Sequence, residues 1–164
     1  MPRRRGARAP TYHPACMRIA RKNGVCLVLT EPHFQVAASV GAHPRSMAPT
    51  TLTLDTGAAT NLIRRDALPE GWEAKRVALD EAKLPKMGDA NGRPIPSSGV
   101  VELRTRIGRA TYRVHYLVVD KLVVEAIVGT PFLRRHVDAI RCHAGRVDFR
   151  CPKARVPILQ QGTL

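Results

Sequence analysis

The stretch that most constrains the fold is residues 101–118. Val101, Leu103, Thr105 and Ile107 alternate with Glu102, Arg104 and Arg106, and Tyr112, Val114, Tyr116 and Val118 then alternate with Arg113 and His115. Successive side chains of a strand point to opposite faces, so each run has one apolar and one wet face. A turn at Gly108-Arg109 joins the two runs into an antiparallel ribbon.

The same signals recur from about residue 33 to residue 149. Val36, Ala38 and Val40 alternate into Gly41, a first strand, and Leu52 and Leu54 share one face of a strand that ends at Asp55. Residues 61–68 read as a strand running into one helical turn, closed by Pro69 and Gly71, and Trp72 and Val77 lie in weak strand or loop. "MGDANGRPIPSSG", residues 87–99, has the Gly, Pro and Asn-Gly content of a hairpin tip or mobile loop. Val123 to Val128 reads as a buried strand and Gly129 as a tight backbone position. Residues 131–136 form a short helix with Pro near its start, and residues 137–140 and 147–149 form a last hairpin. Many short strands, frequent turns and one late helix predict an all-β barrel or sandwich.

At 164 residues the chain holds one domain with tails. The net charge of +14 is uneven: residues 1–30 carry seven Arg or Lys and no acid, and residues 141–164 carry five against one. Residues 1–32 therefore read as a basic, disordered tail or linker, and residues 151–164 as a C-terminal tail. Such tails attract nucleic acid or an anionic surface through Coulomb attraction and counterion release. They lack interleaved aromatics, so the expected nucleic-acid contact is weak. No apolar run reaches the roughly eighteen residues of a membrane span. Cys16, Cys26, Cys142 and Cys151 form no CxxC pair and no zinc pattern with the histidines, so no metal or cofactor is expected. Their distribution suits reduced thiols in a compartment such as the cytoplasm. A zinc or thiol protein is a distant third reading.

Phosphate-binding, zincin and nucleophile-elbow motifs are missing, which leaves Asp55-Thr56-Gly57-Ala58 in "LTLDTGAAT" as the place for chemistry. A carboxylate at a strand end, followed by glycine, can be oriented by backbone amides and left open to a cleft. The same tripeptide also suits a plain Asx turn. Hydrolysing an amide needs one ionised carboxylate and one protonated carboxyl. None of Asp66, Asp80, Asp89, Asp120, Asp138 or Asp148 is followed by Thr-Gly or Ser-Gly, so the second carboxylate would be Asp55 of a second chain across a two-fold axis.

With that requirement in place, four stretches in order resemble the retropepsins, the retroviral and retrotransposon aspartic proteases: "LTLDTGAATNLI", "DANGRPIPSSGVVEL", the ribbon after it, and "AIVGTPFLRRHVDAI" with "GRVDF". The resemblance covers residues 33–150 and is nearest in pattern to long-terminal-repeat retrotransposon proteases. It implies an all-β closed barrel with one short C-terminal helix, active as a homodimer that hydrolyses a retroelement polyprotein. It makes Asp55 the catalytic residue and Thr56, Gly57 and Ala58 the active-site turn, Thr56 bonding across the dimer. Ala90, Asn91, Gly92, Arg93, Pro94 and Ile95 become the substrate-binding flap, and Gly129 packs against the turn so that the helix can approach. Against the family pattern, the flap is of the Asn-Gly form and stiffened by Pro94 and Pro96, an inserted loop is expected near residues 42–50, and "RVPILQQ" is the candidate dimer strand. The rival reading is a non-catalytic domain of this fold for dimerisation or nucleic-acid tethering. Arg104, Arg106, Arg109 and Arg113 read as a solvated face that near a cleft could favour acidic substrates.

Overall fold

The computed structural model describes residues 17–22, 25–30, 34–89 and 91–160. It divides into two units, Met1–Pro32 and His33–Leu164. In the first, β1 (Met17–Lys22) pairs antiparallel with β2 (Val25–Thr30), Met17 standing opposite Thr30. A hairpin therefore occupies part of the stretch that charge alone marks as a tail. The sequence signal for it is Asn23-Gly24 between the two runs, the pair that most favours two-residue hairpins.

The second unit is built on β3 (Phe34–Gly41), β4 (Met47–Leu54), β5 (Leu62–Arg64), β6 (Arg76–Val77), β7 (Met87–Gly88), β8 (Pro94–Ile95), β9 (Ser97–Ile107), β10 (Ala110–Val119) and β11 (Ala126–Val128). Helix α1 (Thr130–His136) follows, then β12 (Val137–Arg141), β13 (Arg146–Arg150) and β14 (Lys153–Pro157). Single 3-10 turns lie at Arg65–Ala67, Trp72–Lys75 and Glu81–Lys83. The main sheet runs β10-β5-β11-β4-β3-β9, and β9 pairs back onto β10, so six strands close into a barrel. Closure removes the open edges that a sheet of this length would otherwise expose.

The ribbon pairs as its alternation requires, with Thr105 opposite Tyr112 and Arg104 opposite Arg113. Its inner face buries Val101, Leu103, Ile107, Val114 and Tyr116, which join Val36, Val40, Leu52 and Ile63 in one core. Each such aliphatic side chain contributes about 1.5–3 kcal/mol by leaving water. Thr105 and Tyr116 bury hydroxyls in that core and bond to each other at 2.8 Å. Burial pushes the Tyr116 phenol far above its ordinary range, with the Thr105 bond partly opposing.

Two expectations about element bounds are corrected. No inserted loop spans residues 42–50: β4 begins at Met47, and only residues 42–46 turn. Proline is tolerated at Pro49 because β11 pairs with β4 only from Leu52 to Leu54, leaving β4 with a neighbour on one side there. The strand expected from Val123 begins instead at Ala126: Val123 is fully exposed, and the Glu125 carboxylate accepts from Thr50 Oγ1 at 2.8 Å and from the Thr51 amide at 2.7 Å.

The last sheet, β12-β13-β14, sends Val147, Phe149 and Val156 into the main core. The chain past residue 150 is thus structured through β14, beyond the boundary expected for the domain. It then bonds onward, the Ile158 amide to the Gly145 carbonyl and the Leu159 amide to the Gln35 carbonyl.

Candidate active site

Asp55 is half-buried at the end of β4, where the strand gives way to a tight turn. Its amide donates to the Val128 carbonyl at 3.1 Å, continuing the parallel pairing of β4 with β11 by one residue. Its carboxylate Oδ1 accepts from the Gly57 amide at 2.8 Å, and its carbonyl accepts from the Ala58 amide at 3.3 Å. Among the described residues no ion pair involves this carboxylate. The turn therefore holds a half-exposed acceptor with one oxygen oriented by backbone and the other without a partner among the described residues.

The turn is held from behind by the start of α1. The Thr130 amide donates to the Ala58 carbonyl at 2.8 Å, and the Thr130 hydroxyl lies 3.0 Å from the same oxygen and 3.3 Å from the Thr56 carbonyl. Gly129 is buried, and a Cβ there would press into the Ala58 carbonyl and lie 2.6 Å from the Thr60 carbonyl. Asn61 completes the lock: its Oδ1 accepts from the Gly129 amide at 2.9 Å, its Nδ2 donates to the His115 carbonyl at 3.1 Å, and its own carbonyl accepts from the Leu117 amide. Asp55, Thr56, Gly57, Ala58 and Gly129 are thus brought together.

Asn61, Thr130 and Glu125 escape a sequence reading. The signal for Asn61 was present, a polar residue set directly before the buried pair Leu62 and Ile63. Nothing local marks Thr130 or Glu125, whose bonds run to residues more than seventy positions away.

The flap candidates lie on a separate two-stranded hairpin, β7 with β8, where Met87 pairs with Ile95 and Gly88 with Pro94. Ala90 lies outside the described residues. At the tip the Asp89 carboxylate accepts from the Asn91 amide at 2.8 Å and the Arg93 amide at 2.9 Å, while Gly92 takes a left-handed φ of 76°. Met87 and Ile95 pack onto a second apolar cluster of Leu62, Leu117 and Val119, so the hairpin is anchored to the wall that continues from the Asp55 turn. Beside Thr56 runs a groove of about 420 Å³, walled by Thr130, Leu133, Arg134, Val137 and Ile140.

No family model matches the chain, and no curated protein does. Solved structures do. The crystal structure of the retroviral protease-like domain of Ddi1 from Leishmania major superposes with a TM-score of 0.61 at 14% identity, covering 80% of this chain and 98% of that one. The fold is retropepsin-like. Lower overlaps are given by EIAV protease complexed with the inhibitor HBY-793 (TM-score 0.46, 15% identity, 64% of this chain and 88% of that one) and by a retropepsin-like aspartic protease from Rickettsia conorii (TM-score 0.40, 15% identity, 66% and 77%). In the retropepsin-like barrel of this chain, the Asp55 turn sits where β4 leaves the sheet beside β11, and α1 buttresses it. Among the described residues no helix is long and apolar enough to cross a membrane.

Proposed function

We propose that the chain is an aspartic endopeptidase that works as a homodimer, with Asp55 of each copy supplying half of the catalytic pair. The observation that carries this reading is the built turn at Asp55: one carboxylate oxygen is held by the Gly57 amide, and the turn is clamped by Gly129, Thr130 and Asn61 on a retropepsin-like barrel.

Of two carboxyl groups held a few ångströms apart, one is ionised and one protonated, because like charges at that distance do not coexist. The ionised member takes a proton from water as the oxygen adds to the scissile carbonyl. The protonated member donates to the carbonyl oxygen. Proton return to the amide nitrogen then breaks the C–N bond. Substrate would lie extended as an added strand, held through its backbone under residues 90–95 of the flap. The groove beside Thr56 supports the dimer, since a second copy brought to the turn would meet Thr56 and the half-buried Val137 and Ile140. The substrate class that the retropepsin-like pattern implies is the polyprotein of a retroelement, with the long-terminal-repeat type nearest in motif.

The test is incubation of the full chain with a peptide library from neutral to mildly acidic pH, beside Asp55→Asn and with sedimentation to read the dimer. Cleavage that is second order in protein at low concentration and abolished by Asp55→Asn supports the proposal. Full activity in Asp55→Asn ends it. A dimer that cleaves nothing favours the non-catalytic reading.

A further inference from the structure

Beyond catalysis, the distribution of cations over the barrel marks a second surface. The wet face of the β9–β10 ribbon carries Arg104, Arg106 and Arg113, and Arg109 stands at its turn. Arg104 and Arg113 are directly opposed across the strands, an arrangement of like charges that by itself opposes pairing. The one acid on this face, Glu102, is engaged by His115 at 3.4 Å and by Arg113 at 3.9 Å. None of the ion pairs among the described residues involves Arg104, Arg106 or Arg109.

At the turn the ribbon meets β14. A groove of about 510 Å³ opens there, walled by Arg109, Lys153 and Arg155 with no acid in its lining; its floor is Gly108, Ala110 and Val156. Arg155 stands opposite Asp148 in the strand register, but that carboxylate is already held by Arg141 at 2.6 Å and Arg146 at 3.0 Å. Three cations therefore line a concave apolar floor, and none of them is in an ion pair among the described residues, although Lys153 and Arg155 share a neighbouring groove with Asp138 and Asp148.

We propose that this groove, continued by the arginines of the ribbon, is a docking surface for the phosphate backbone of a nucleic acid. Three features favour that partner over an acidic polypeptide. Five of the six cations are arginines, whose planar forks match phosphate oxygens in pairs. Arg104 with Arg106, and Lys153 with Arg155, are i,i+2 pairs that strand geometry spaces about 7 Å apart, a regular repeat suited to a polymer bearing one fixed charge per unit. The surface also lacks the donor-acceptor variety that reads a particular peptide. The tyrosines of the ribbon, Tyr112 and Tyr116, face the core, so no aromatic platform stacks bases and binding is independent of sequence. This places the interaction on paired strands, β14 among them, rather than on the basic stretch of residues 1–30.

The test uses the full chain, so that the basic residues 1–30 contribute equally throughout. Binding of labelled mixed-sequence single-stranded RNA, and of duplex DNA in a second arm, is followed by anisotropy across a series of salt concentrations. Each neutralised phosphate contributes about −0.7 to the log–log slope for a single strand and about −0.9 for a duplex. The triple variant Arg109→Gln, Lys153→Gln, Arg155→Gln is expected to bind more weakly, with a slope shallower by about 2. The charge-preserving double variant Arg109→Lys, Arg155→Lys keeps most of the slope and controls for folding. The proposal is overturned if the triple variant keeps the native slope, or if the native chain binds neither nucleic acid. It is also overturned if polyglutamate binds at least as tightly and loses as much in the triple variant, which would assign the surface to an acidic polypeptide.

Discussion

Gly129 and Ala58 are separated by seventy residues in the chain, yet the backbone of Gly129 lies so close to the Ala58 carbonyl that no side chain fits between them. The Thr130 amide then bonds that same carbonyl at 2.8 Å. Gly129→Ala would have to push backbone against backbone, because the opposing atoms are carbonyls rather than flexible side-chain ends. The expected cost is about 1–3 kcal/mol of stability, the range of an overpacked core site. Urea unfolding measures it, and the displaced turn should lose peptide cleavage as well. A variant as stable as the native chain would show that the approach is looser than it stands here.

Asp89 organises the tip of the β7–β8 hairpin through two bonds that its Oδ1 accepts from the Asn91 and Arg93 amides. Asp89→Ala removes both at an exposed position, a loss of roughly 1 kcal/mol of local order. The Asn91 and Arg93 amides should exchange with solvent several-fold faster while the barrel amides are unchanged, and KM for a peptide should rise more than kcat falls. Asp89→Asn keeps an acceptor and should restore much of the protection. Unchanged exchange in the alanine variant would remove Asp89 from this role.

Among the described residues the buried Tyr112 hydroxyl has no hydrogen-bond partner, although its ring is well placed, edge-on to Phe132 at 5.4 Å and near His136 at 4.6 Å. A buried polar group left unpaired costs about 1–3 kcal/mol. Tyr112→Phe keeps the ring contacts and removes the orphan, so its melting temperature should equal or exceed that of the native chain. A loss of more than about 1 kcal/mol would mean that the hydroxyl has a partner in solution.

His136 ends α1 against the rings of Tyr112 and Phe132. Desolvation, with a smaller contribution from Arg135, lowers its pKa below the usual 6.5. The unfolded chain therefore binds this proton more readily than the folded one, and stability should fall as pH drops through 6.5 toward the depressed folded value. His136→Phe should flatten that part of the profile in melts at pH values on either side of 6.5. Asp148, lowered from 3.8 first by its bond from Arg141, acts only at more acidic pH and leaves this window clear. An identical profile in the variant would assign the acid sensitivity elsewhere.

By itself the sequence determined the elements whose signals are local. The ribbon of residues 101–118 follows from period-two alternation, α1 from Pro131 at its first turn, and the Asp55 turn from a strand running into Thr-Gly-Ala. Its motif order was also enough to name the barrel. Local pattern did not carry the pairings between distant segments. Tertiary structure alone decided that β5 enters between β10 and β11, that β11 runs parallel to β4, and that β9 and β10 close the ring. The same holds for β14, which completes a sheet with β13, and for the Glu125 carboxylate, which accepts from Thr50 and Thr51 in the middle of β4. Asn61 and Thr130 belong with these, since each matters only because folding brings Gly129 against Ala58. Such contacts are selected by burial and backbone satisfaction summed over the whole chain after loop closure has been overcome, and a window of neighbouring residues does not specify the distant partner.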